Sequence, residues 1–137
     1  MIEKLVPETL PPAYSTWMSD LLATYYRARN HPFKLRLATW LEKSLGNKNI
    51  LIKTKRGFRF AANRFDYIQN TIFQTRDWEP EIGSILVQEL TQNDVFFDVG
   101  ANTGYFSCIA LSCNVKQVIA FEPYSSLQKL FILNNLH

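Results

Sequence analysis

"VFFDVGANTGYFS", residues 95–107, decides how the rest of the chain is read. Val95 to Val99 are apolar and β-rich apart from Asp98, with no period-two alternation. That pattern is expected of a parallel strand buried on both faces. Gly100 follows the strand and lets the chain turn without a Cβ in the way. Gly104 stands where a helical pattern, "GYFSCIALSC" (104–113), begins. Downstream, "QVIAFEP" (117–123) reads as a second buried strand and "SSLQKLFILNNLH" (125–137) as a second helix. Leu127, Leu130 and Phe131 are its expected inward residues and Ser125 its candidate cap. Strand, helix, strand, helix in this order predicts a parallel α/β sheet with right-handed crossovers.

The polar residues of this unit point to a ligand. Asp98 falls near the carboxyl end of the first parallel strand, where open α/β sheets bind their ligands. Its charge favours a positive group, whereas N–H groups exposed at the start of the next helix favour a negative one such as a carboxylate. Together they suit an amino acid moiety. Glu122, 24 positions after Asp98, ends the second strand, where an acid accepts hydrogen bonds from ribose hydroxyls. Tyr124, two residues on, is placed to lie against an adenine. An amino acid joined to ribose and adenine is S-adenosylmethionine.

Other ligands fit less well. A nicotinamide dinucleotide asks for G-x-G-x-x-G, and "GANTG" has Ala101-Asn102 where the second glycine would stand; a pyrophosphate would also meet Asp98. The phosphate-cradling G-x-x-x-x-G-K-[ST] and the G-x-S-x-G nucleophile elbow are both absent. Cys108 and Cys113 lie five apart on a predicted helix and diverge in direction, so they read as reduced packing thiols. No zinc-type cluster of Cys and His accompanies them.

Upstream, "VPETLPPA" reads as part of an irregular arm (1–13). "YSTWMSDLLATYYRARN" (14–30) has helical spacing, with Trp17, Leu21, Leu22, Tyr25 and Tyr26 on one face, broken by His31-Pro32. "FKLRLATWLEKSLG" (33–46) resumes with Leu37, Trp40, Leu41 and Leu45 as packing residues and Gly46 as a stop. "NILIKTKRGFRFAAN" (49–63) is a β-hairpin about Lys55-Arg56-Gly57. "DYIQNTIFQTRDW" (66–78) predicts a short helix facing inward through Tyr67, Ile68, Ile72 and Phe73. "EPEIGSILVQELTQND" (79–94) predicts an amphipathic helix opened near Pro80, with Ile82, Ile85, Leu86, Glu89 and Leu90 at its spacing.

The bulk numbers agree with a soluble globular domain: 137 residues, 47% apolar and 20% charged. No apolar stretch reaches the ~18 residues of a membrane span and the start has no signal-peptide h-region, so the cytoplasm is the expected location. The net charge of +3 conceals an imbalance. Residues 1–65 carry twelve Lys/Arg against four Asp/Glu, and residues 66–137 three against eight. The basic half suits an anionic partner, or simply a solvated surface; its charges are dispersed and give no specific nucleic-acid signal.

"DVGANTGYFS" followed by "VIAFEP" resembles the FkbM family of S-adenosylmethionine-dependent methyltransferases. A hairpin, an Asp-initiated segment ("DYIQNTIF") and the Trp78-Glu79 pair extend the resemblance over roughly residues 49–137. It implies an α/β fold in which N-terminal helices and a β-hairpin lead into the first β-α-β-α of a Rossmann-like class I methyltransferase sheet. The expected divisions are 1–48, an N-terminal helical segment; 49–94, hairpin and lead-in helices; and 95–137, the start of the cofactor domain. By resemblance, Asp98, Gly100, Ala101, Asn102 and Gly104 surround the methionine end, Glu122 holds the ribose and Tyr124 flanks the adenine. Glu79 is a looser candidate for a cofactor contact, against the ordinary reading of an acid favoured in a helix's first turn. The implied reaction is methyl transfer to a hydroxyl oxygen of a small-molecule or glycan acceptor, often sugar or polyketide-like. The family's sheet has seven strands and this chain supplies two, so the resemblance implies an N-terminal portion and a complementing C-terminal chain. The competing expectation is a non-catalytic remnant or binding module whose basic N-terminal half contacts an anionic partner.

Overall fold

The structure, a computed structural model, describes residues 13–14, 21, 24–25, 36, 40, 49–63 and 65–135. Its elements are β1 (Ala13–Tyr14), β2 (Asn49–Lys53), β3 (Arg59–Ala62), α1 (Tyr67–Thr75), α2 (Pro80–Glu89), β4 (Val95–Val99), α3 (Tyr105–Ser112), β5 (Gln117–Phe121) and α4 (Ser125–Asn135). They form a mixed α/β arrangement with two small sheets: β1-β2-β3, and the parallel pair β4-β5. Of the expected N-terminal helices, Leu21, Thr24, Tyr25, Arg36 and Trp40 are helical; the remainder lies outside the described residues. Leu21 and Trp40 are exposed, contrary to their expected packing role. Ala13–Tyr14, read as the end of an irregular arm and the start of a helix, instead pair in parallel with Asn49–Ile50.

The hairpin follows its turn chemistry. Gly57 takes φ +95°, and Thr54 closes the turn through its N–H to the Phe58 carbonyl at 2.9 Å. Of the hairpin's basic residues, Lys53, Lys55 and Arg59 are exposed and Arg56 is half-buried. The Arg56 Nε donates to Asp77 at 3.2 Å and Nη2 to the Pro80 carbonyl at 2.9 Å, so this cation clamps the link between α1 and α2. α1 is capped by Asp66, which accepts from the Gln69 N–H at 2.9 Å. Ile72 and Phe73 are buried as expected, but Tyr67 is exposed and Gln69 is buried instead. The Gln69 amide oxygen accepts from the Asn63 N–H at 2.7 Å, a bond that compensates its burial.

The core unites the hairpin with the parallel unit: Ile50, Ile52, Phe60, Ala62, Ile72 and Phe73 cluster with Tyr105, Cys108 and Ile109 of α3. Phe60 and Tyr105 meet edge to face with centroids 5.3 Å apart. α2 packs on α3, but not through its expected face. Gly83 is its buried residue and Leu86 and Leu90 are half-buried, while Ile82, Ile85 and Glu89 are exposed. Glycine at 83 makes room for Arg56, whose guanidinium lies where a Cβ would project.

The expectation of strands buried on both faces is overturned. β4 pairs with β5 in register, Asp98 opposite Ala120 and Val99 opposite Phe121. Successive side chains alternate between faces, and only the face toward α3 is covered. On the other, Val95, Phe97 and Val99 are exposed, Phe97 at 59% and Val99 at 79%. β5 is half-buried at best, with Phe121 exposed. The apolar run has no polar alternation apart from Asp98, but no described residue shields its second face. In α4, Leu130 is buried and Leu127 and Phe131 are half-buried. Ser125 is the first helical residue, not the cap; the Tyr124 carbonyl accepts from the Leu127 and Gln128 N–H groups.

Candidate functional site

Between β4 and α3 the backbone alternates. Gly100 (φ +79°), Asn102 (φ +53°) and Gly104 (φ +85°) all occupy the left-handed region, with Ala101 and Thr103 between them. The sequence G-x-N-x-G therefore places at every second position a residue that tolerates positive φ: glycine for lack of a Cβ, asparagine because its side chain bonds locally. The Asn102 amide oxygen accepts from the Thr103 N–H at 2.7 Å. Asn102 thus does the conformational work expected of a second glycine.

The two glycines differ in what surrounds them. A Cβ on Gly100 would meet nothing within 4 Å, so the loop is open to a ligand there. A Cβ on Gly104 would strike Phe131 and Asn135, so this glycine lets α4 approach the start of α3. Gly104 is thus required by the packing of α4 on the loop.

Glu122 reaches over the loop from the end of β5. Its Oε2 accepts from the Asn102 N–H at 2.8 Å and its Oε1 from the Tyr124 N–H at 2.9 Å. The carboxylate is therefore held in one orientation by backbone donors. With about four lone-pair positions, it keeps capacity for further donors such as two hydroxyls. Tyr124 stands beside it, 69% exposed as a residue. Gly100, Ala101, Asn102, Glu122 and Tyr124 are thus brought together at the carboxyl ends of β4 and β5.

Asp98 is set apart from this group. It is buried on the α3 side of β4 and accepts from the Ser107 hydroxyl at 2.5 Å. This bond pins the first turns of α3 to the strand. The loop N–H groups are also spent internally. Those of Gly100 and Ala101 bond the Phe121 carbonyl, that of Thr103 bonds Asn102, and that of Gly104 bonds the Ala101 carbonyl. What remains for an anionic group is the first turn of α3, which has no side-chain cap. Glu79 occupies the N-cap position of α2 in a left-handed conformation (φ +42°) without capping it, and Glu81 is the first-turn acid.

Beside the loop lies a cavity of about 70 Å³ lined by Ile68, Trp78, Gly100, Ala101, Asn102, Thr103, Tyr105 and Phe106. Its aromatic walls were not anticipated from sequence, apart from Trp78 in the Trp-Glu pair; Phe106 carries no local signal that separates it from core. Asp77 organises this wall: its Oδ1 accepts from Arg56 Nε, the Trp78 N–H and, at 2.7 Å, the Tyr105 hydroxyl. Burial, then the bond to Asp77, raises the Tyr105 pKa and keeps the phenol protonated.

A larger cleft, about 360 Å³, lies elsewhere, between Phe58, Arg59, Cys108, Leu111, Ser112, Asn134 and Asn135. It holds no carboxylate. Burial, reinforced by Asp98, pushes its Cys108 thiol up to about 12, and the Sγ is engaged with the Asn134 carbonyl and the Asn135 side chain. Both cysteines are free thiols. Among the described residues there is no group of three His, Cys, Asp or Glu placed to hold a metal ion, and no helix long and apolar enough to cross a membrane. No protein-family model, curated protein or solved structure matches the chain.

Proposed function

We propose that this chain carries the S-adenosylmethionine-binding half-site of a FkbM-type, Rossmann-like methyltransferase that acts on a hydroxyl of a sugar or polyketide-like acceptor. The observation that carries the reading is the pinned Glu122 carboxylate, which stands over an open glycine loop at the carboxyl ends of two parallel strands. In this reading Glu122 accepts from the ribose hydroxyls, Tyr124 covers the adenine, and Gly100 admits the ligand where a side chain would stand. The uncapped start of α3 receives the methionine carboxylate. Asp98 acts one step back, through Ser107, by holding α3 in place. When bound, the cofactor supplies an activated methyl group; the acceptor and any base that takes its proton come from outside these residues.

Calorimetric titration with S-adenosylhomocysteine tests the reading, with Glu122→Ala beside the unaltered chain. Binding that Glu122→Ala abolishes supports it. Binding indifferent to Glu122 refutes it, as does a folded chain that binds neither alone nor with a complementing segment. The uncovered apolar face of β4 and β5 favours a second reading, a non-catalytic remnant or a part completed by another chain that supplies further strands. Folded protein that ignores the ligand alone, yet binds it once a complementing segment is added, selects the latter.

A further inference from the structure

We infer that the cavity beside the glycine loop takes a small methylated onium group, the sulfonium of S-adenosylmethionine, with Trp78, Tyr105 and Phe106 as its aromatic walls. The inference rests on the reading above and goes further, since it assigns residues that tell the charged cofactor from its neutral product.

Size comes first. At about 70 Å³ the cavity exceeds several-fold the ~10–15 Å³ that one water needs and falls far short of the ~300–1,000 Å³ of a whole-ligand pocket. It suits a group of a few heavy atoms and not a nucleoside. Its chemistry is equally selective. Three of its eight lining residues are aromatic and none is a carboxylate. The one phenol among them, that of Tyr105, donates a hydrogen bond to Asp77 and so offers the cavity a ring. A cation entering here is recognised by ring quadrupoles, the means by which aromatic cages hold methylated cations. A neutral thioether gains little from the same walls.

The walls are set before any ligand arrives. The Trp78 backbone is held by Asp77 at 3.0 Å and its ring meets Tyr67 edge to face at 6.5 Å. The Phe106 ring meets Tyr105 in the same manner at 6.2 Å. The fourth side is the loop itself, open at Gly100.

The test compares S-adenosylmethionine and S-adenosylhomocysteine by calorimetry on the full chain and on Trp78→Leu, Phe106→Leu and Trp78→Phe. Each Leu variant should weaken S-adenosylmethionine about tenfold, with S-adenosylhomocysteine changed less than about twofold; Trp78→Phe should keep most of the discrimination. Equal weakening of both ligands in the folded variants overturns the inference and leaves the cofactor reading standing. Trimethylsulfonium, followed through its methyl proton resonance, separates the remaining cases. An upfield shift that both Leu variants lose supports the onium cavity even if neither nucleoside binds. If trimethylsulfonium is unshifted in a chain that also fails to discriminate the two nucleosides, the cavity holds no onium group.

Discussion

Asn134 is the residue whose replacement tests the architecture most directly. β3 is a sheet edge, and in an antiparallel ladder alternate residues turn their N–H and C=O away from the partner strand. At Ala61 those groups meet a side chain instead. The Asn134 Oδ1 accepts from the Ala61 N–H at 2.6 Å, and its Nδ2 donates to the Ala61 carbonyl at 3.2 Å and to the Thr103 carbonyl at 2.9 Å. One amide thus replaces the missing strand and ties it to the glycine loop. Ala61 and Thr103 are both buried, so Asn134→Leu, similar in size, would leave three backbone groups without partners or water. At about 1 kcal/mol apiece, the low end for orphaned buried groups, the loss is about 3 kcal/mol. With a urea m-value of about 2 kcal/mol/M, the unfolding midpoint should fall by roughly 1.5 M. Equilibrium urea unfolding followed by far-UV circular dichroism measures this. A midpoint displaced by less than about 0.3 M at unchanged m would refute the strand-mimic role.

The loop glycines should part company. Gly100→Ala should cost about 1 kcal/mol for its left-handed backbone alone, whereas Gly104→Ala adds the collision with Phe131 and Asn135 and should cost clearly more in the same unfolding assay. Equal costs would place the α4 contact in error. The raised Cys108 pKa makes a pH prediction. The folded thiol keeps its proton while the unfolded one loses it from about 9.0 upward, so stability is full below pH 9.0 and declines as pH climbs toward about 12. Unfolding free energies at pH 8, 9 and 10 should fall, and Cys108→Ala should flatten the fall; identical slopes would reject the assignment. On the uncovered sheet face, Phe97→Glu should change stability by no more than about 0.5 kcal/mol in the same unfolding assay. A loss of several kcal/mol would mean that Phe97 is covered after all.

Some of this protein was legible one residue at a time. The hairpin turn at Gly57 and the alternation of strand and helix from Val95 onward depend on local backbone preferences, which act over a few residues. The gathering of Gly100, Ala101, Asn102, Glu122 and Tyr124 was legible as well, because parallel register carries the carboxyl ends of successive strands to one side of the sheet. Which residues of an element are buried was legible only in part: Ile72, Phe73 and Leu130 are buried as expected, others are not. Tyr67 and Gln69, or Ile85 and Gly83, exchange their expected places because burial is decided by the neighbour that arrives: Asn63 supplies the bond that lets Gln69 in, and Arg56 occupies the space that Gly83 leaves. Asp98 shows the same division. Its position at the strand end followed from the sequence, but its orientation toward Ser107 depends on how α3 folds back. Local sequence determines conformation because its energies are short-ranged; contacts such as Asn134 to Ala61, 73 residues apart, exist only once the chain has closed on itself.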